Sequence, residues 1–73
     1  MRRDENPLDI LYRQPEGEEM LRLIDTAPIG KIVDLEGSRV WKQGGFVHVS
    51  KPLEQGTHVF CSVASAILCV LGI

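Results

Sequence analysis

Aromatic residues are scarce in this chain of 73 residues: one Trp, one Tyr and two Phe, or 5%. An excess of charge of one sign is also missing. Eight Lys and Arg stand against ten Asp and Glu, a formal charge of -2, which argues against a nucleic-acid binder that works by charge alone. No apolar stretch follows the opening Met1-Arg2-Arg3-Asp4-Glu5-Asn6-Pro7, so a secretory signal peptide is not expected and a reducing cytosol is the default compartment. In that compartment Cys61 and Cys69 read as small buried hydrophobes rather than a disulfide. The Walker spacing of a phosphate-binding loop is absent, as is the G-x-S-x-G nucleophile elbow. A chain this short is a single small domain that buries roughly 60% of the surface its unfolded form exposes. It has little room for a deep catalytic pocket with a supporting shell.

What is present is unevenly spread. Residues 1–36 hold nine acids and five bases, whereas residues 37–73 hold one acid and three bases. The halves therefore carry -4 and +2, and could face different partners or each other. Asn6-Pro7 has the form of a helix start, with Asn as N-cap and Pro at the first helical position. Leu8, Leu11 and Tyr12 make one apolar stripe at i, i+3 and i+4, which Pro15 ends. A second helix opens at Pro15-Glu16-Gly17-Glu18-Glu19, its acids favoured by the helix dipole. Met20, Leu21, Leu23 and Ile24 supply its buried face, and Pro28 closes it.

From Ile29 the apolar period changes to two. Lys31–Leu35, Arg39–Gln43, Phe46–Ser50 and His58–Val63 read as four strands, with turns at Glu36-Gly37-Ser38 and Gly44-Gly45 and a looser loop over 51–57. The expected fold class is α+β: one or two short N-terminal helices, then a three- or four-stranded antiparallel meander. In domain terms the reading is a mobile charged arm over 1–6, a domain over 7–63 and an apolar C-terminal tail over 64–73.

That tail belongs to the most unusual run in the chain. Twelve of the fifteen residues from Val59 to Ile73 are Val, Phe, Cys, Ala, Ile or Leu, and none is charged. Three readings stay open: a core segment, an exposed tail that docks on a partner, and a membrane anchor. A spanning helix needs about 20 residues, so membrane insertion is disfavoured. Periodicity cannot separate helix from strand in a short, wholly apolar run.

Two imidazoles and two thiols, His48, His58, Cys61 and Cys69, make a tetrahedral zinc inventory, but the spacing H-x9-H-x2-C-x7-C lacks both the close Cys pair and the following His pair. No metal or cofactor is expected. A catalytic thiol is not expected either, since both cysteines lie in the most apolar part of the chain, away from an electropositive setting. The cluster Glu16, Glu18 and Glu19 is explained by its place at a helix start.

The pair of strands around Gly44-Gly45 holds the best surface candidates. Arg39, Trp41 and Gln43 alternate on one face of their strand, with Val40 and Lys42 on the other, and Phe46 and His48 alternate on the next. Trp and Arg are enriched at interface hot spots, although Trp41 is also the natural large core residue of so small a domain.

The plan of a charged arm, short helical turns through Asn6-Pro7-Leu8-Asp9-Ile10-Leu11-Tyr12 and Glu18-Glu19-Met20-Leu21-Arg22, and a small sheet with Arg39-Val40-Trp41-Lys42-Gln43-Gly44-Gly45 resembles the small RNA-polymerase-binding regulators of lytic Xanthomonas phages. The resemblance is one of whole-chain plan and carries over no functional residue. It implies a non-enzymatic protein that binds the largest catalytic subunit of the host polymerase, inhibits transcription initiation and promotes antitermination in the bacterial cytoplasm. The candidate contacts for such a partner are Arg2, Arg3, Arg39, Trp41, Lys42 and Phe46. A monomer is expected, with no sequence-specific nucleic-acid contact and no membrane. The rival reading is a small membrane-associated protein held by the apolar C-terminal segment.

Overall fold

The computed structural model describes residues 6–73. The element order is α1 (Pro7–Tyr12), α2 (Gly17–Thr26), β1 (Val33–Leu35), β2 (Ser38–Gln43), β3 (Phe46–Ser50), β4 (His58–Phe60) and α3 (Val63–Leu71). The four strands form one antiparallel sheet in the order β1-β2-β3-β4, so the protein is an α+β domain with a helix after the meander as well as helices before it.

Each boundary has a local cause. The Asn6 side chain accepts the Leu8 N–H at 2.9 Å and Pro7 follows at the first helical position, which satisfies one of the unpaired donors at the helix start. Ala27, immediately before Pro28, takes the extended conformation at φ -70°, ψ 142° and ends α2. Both hairpin turns have two central residues at positive φ, 53° and 84° at Glu36-Gly37 and 62° and 80° at Gly44-Gly45. This is the type I′ pattern, whose twist matches that of the strands it joins. A two-residue turn fixes the register, giving Leu35↔Ser38 and Trp41↔His48.

The segment over 64–73, read above as a tail outside the domain, is the helix α3 and the middle of the core. Ser62 is its N-cap, accepting the Ser65 N–H at 3.2 Å. At the other end Gly72 sits at φ 77°. The Ile73 N–H reaches the Leu68 carbonyl at 3.0 Å and the Gly72 N–H reaches the Cys69 carbonyl at 3.1 Å, the bond pair of a Schellman cap. Ala66 and Ile67 are wholly buried, with Ala64, Leu68 and Val70 nearly so. They pack with Ile10, Leu11, Met20 and Ile24 from the other helices and with Leu35, Val40, Val47 and Val49 from the sheet. The run is apolar because neighbours surround most of the helix, not one face of it.

Three smaller expectations are corrected by packing. Ile10, not Tyr12, joins Leu11 inside α1, and Tyr12 is exposed. Leu23 of α2 faces solvent rather than the core. The last strand stops at Phe60, because the chain turns at Cys61 and Ser62 into α3.

Candidate functional surface

Alternation along the strands sorts the sheet into two faces. Leu35, Val40, Val47 and Val49 are buried and all point toward the helices, since α2 packs on β1 and β2 and α3 on β3 and β4. Among the described residues the opposite face carries no helix. Across it lie Arg39, Trp41 and Gln43 of β2, Phe46 and His48 of β3, and Val59 of β4, brought level by the pairs Trp41↔His48, Gln43↔Phe46 and His48↔Val59.

Trp41 and His48 form the centre of this outer face. Their rings stack with centroids 5.4 Å apart and planes 6° from parallel. Near-parallel rings at this separation are offset-stacked. The Trp41 Nε1–H donates to Gln43 Oε1 at 3.3 Å, and His48 Nε2 lies 3.3 Å from the Gln43 carbonyl oxygen. Gln43 thus ties both rings in place, which lowers the rotamer entropy lost when a partner covers them. Around the pair, Phe46 and Val59 are 49% and 53% exposed and Arg39 is exposed. The face is apolar at its centre with a guanidinium at its edge, the composition of a protein-docking surface.

The sequence candidates divide accordingly. Arg39, Trp41 and Phe46 meet on the outer face. Lys42 does not join them: it lies on the helix side, where its Nζ donates to the Asp25 carbonyl at 3.0 Å. There it satisfies an otherwise open carbonyl in the last turn of α2 and favours the negative end of the helix dipole. Arg2 and Arg3 lie outside the described residues. His48 and Val59 belong to the face but were not among the candidates. Counting outward from the Gly44-Gly45 turn in steps of two places His48 opposite Trp41, a signal the sequence already held.

The four residues of the zinc inventory are spread apart. His48 is on the outer face, His58 is beside Glu54 at 3.4 Å, Cys61 is exposed and Cys69 is half-buried. Among the described residues no group of three or more His, Cys, Asp or Glu is placed to hold a metal ion. Beside the Gly44-Gly45 turn a cavity of about 310 Å³ is walled by Ile29, Phe46, Val47, Cys61 and Val63. No helix among the described residues is long and apolar enough to cross a membrane. Comparison of the chain with family models, curated proteins and solved structures finds no match.

Proposed function

We propose that this chain is a non-enzymatic regulator that acts by covering a surface of another protein with the outer face of its sheet. One observation carries the reading: among the described residues all three helices lie on one side of the sheet, and Trp41, His48, Phe46, Val59 and Arg39 lie together on the other. A standard interface takes about 800 Å² from each partner, roughly a sixth of the accessible surface of 5001 Å². One face of this domain can supply that area.

The specific partner follows from the resemblance to the Xanthomonas phage regulators. The target is bacterial RNA polymerase through its largest catalytic subunit, and the outcome is inhibited initiation and promoted antitermination. An interface of this kind needs no cofactor. The membrane-anchored rival is the less favoured reading, since much of the apolar segment it relies on packs in the core as α3.

Immobilised protein is expected to retain Xanthomonas RNA polymerase from a lysate at about micromolar concentration, and to lower sigma-dependent run-off transcription with purified enzyme. Retention should fall in Trp41→Ala and Arg39→Glu and persist in Tyr12→Ala, which changes an exposed ring on the helix side. Absence of any retained polymerase subunit at low and moderate salt overturns the assignment to polymerase. Equal retention by all three variants overturns the assignment to the outer face.

A further inference from the structure

A second surface, of opposite chemistry, lies along the free edge of β1. Among the described residues this strand pairs only with β2 and ends the sheet. In a hairpin with a two-residue turn Leu35 and Ser38 are the hydrogen-bonded pair, and alternation leaves the Asp34 N–H and C=O directed away from β2. Beside this edge, between β1 and α2, runs a groove of about 290 Å³. It is lined by the apolar Met20, Leu23 and Leu35 and by Glu16, Glu19, Glu36 and Asp34; Asp34 borders it from the strand itself, its side chain turned by alternation to the outer side of the sheet, opposite Arg39. Leu23 is 47% exposed there, although it belongs to the apolar set of α2. None of the four carboxylates has an ion pair among the described residues, and no base lines the groove.

We propose that this edge and groove take an extended, basic segment of a partner protein, added as a fifth strand to β1. The free Asp34 amide and carbonyl supply the backbone bonds of strand addition. The incoming residue opposite Asp34 has its side chain on the outer side of the sheet, beside the Asp34 carboxylate, and is therefore basic. Its neighbours point to the helix side, where an apolar side chain covers Leu23 and Met20. The segment thus alternates basic and apolar residues.

Charge also argues against a second copy of this chain as the occupant. Antiparallel self-pairing centred on Asp34 sets two carboxylates opposite each other, which is destabilising. The other sheet edge gives no such direction: the residue of β4 that faces outward is Val59, and β4 carries no carboxylate. The inference rests on the β1 edge and the groove beside it, not on the Trp41–His48 centre of the outer face that carries the polymerase reading; the two meet only where Asp34 stands opposite Arg39.

The test is a titration of isotope-labelled full-length protein with the peptide acetyl-(Arg-Leu)3-Arg-amide, and with the same peptide carrying Glu for Arg. The Arg peptide is expected to bind saturably at one site and to slow hydrogen exchange of the Asp34 amide, and the Glu peptide is expected not to bind. Affinity should drop about tenfold or more in Asp34→Lys, about threefold in Glu19→Lys, which lies on the apolar side of the segment and acts only through its charge, and less than about twofold in Glu18→Lys. Glu18→Lys changes net charge equally, but Glu18 lies outside the groove, 3.6 Å from Arg22. All three positions are exposed, so the variants keep the fold, which circular dichroism checks. Equal losses in all three variants overturn the proposal, as does binding that leaves the Asp34 amide unchanged. So does a peptide-free dimer in which that amide is already protected, and so does the absence of saturable binding up to about 1 mM peptide.

Discussion

Replacing Gly17 by Ala should destabilise the domain, against the usual effect of that substitution. In a helix, Ala is favoured over Gly by about 0.8–1 kcal/mol. Gly17 is the first residue of α2 and is buried against the end of α1. A methyl group built on it would overlap the Leu11 carbonyl oxygen and lie 2.9 Å from the carbonyl carbon and 3.0 Å from Leu11 Cδ1. Two of these are backbone atoms, so no rotamer change relieves the overlap. The Leu11 carbonyl is also held in place, accepting the Gln14 N–H at 3.0 Å, and the Leu11 side chain is wholly buried. The helices must therefore separate by about an ångström, and overpacking against backbone atoms lies in the upper part of the usual range, about 2–3 kcal/mol. After the propensity gain the net loss is about 1–2 kcal/mol. A domain of this length has a total stability of about 4–11 kcal/mol, and such a loss lowers Tm by roughly 4–16 °C. Urea unfolding followed by far-ultraviolet circular dichroism gives the difference directly. Glu18→Ala, one residue along and exposed, is the reference and should stay within about 0.5 kcal/mol of the parent. A Gly17→Ala variant as stable as the parent, or more stable, refutes the close approach of α1 and α2.

The place of α3 gives two further expectations. Ile67→Ala should cost about 2–5 kcal/mol in urea unfolding, as for any large core truncation, because Ile67 is wholly buried between the helices and the sheet; a change under about 0.5 kcal/mol would mean that α3 is a peripheral tail. Cys61 is exposed and Cys69 is half-buried within α3, so a thiol reagent should label Cys61 first in the native protein. Both thiols should react alike in about 6 M guanidinium chloride, where packing no longer distinguishes them.

The sheet was readable because two signals agreed. Period-two alternation marked the strands, and Glu36-Gly37 and Gly44-Gly45 marked turns that need positive φ. With two-residue turns the register follows by counting, which makes the Trp41–His48 pairing recoverable from the chain. Lys42 shows a different limit. Alternation put it opposite Arg39 and Trp41, but grouping the candidates by charge and proximity in sequence placed it with them, and only the fold reveals the Asp25 carbonyl as its partner. The run from Val59 to Ile73 was opaque because burial on almost every side removes helical periodicity. Its caps were nevertheless present in Ser62 and Gly72, ten residues apart, and these would have favoured a helix over a tail. The exposed Leu23 and buried Ile10 were not legible, since each depends on the crossing of α1 and α2, which a local pattern does not encode.

The central claim is that the outer face of the sheet is the docking surface, with Trp41 at its centre. The dissociation constant for purified Xanthomonas RNA polymerase, measured side by side for the parent protein and for Trp41→Ala, tests it most directly. An anchor in a hot spot is worth about 2 kcal/mol or more, or roughly thirtyfold in affinity. A loss of that size is expected in a variant whose circular dichroism and two-state unfolding show it to be folded. A folded Trp41→Ala protein that binds polymerase as tightly as the parent contradicts it.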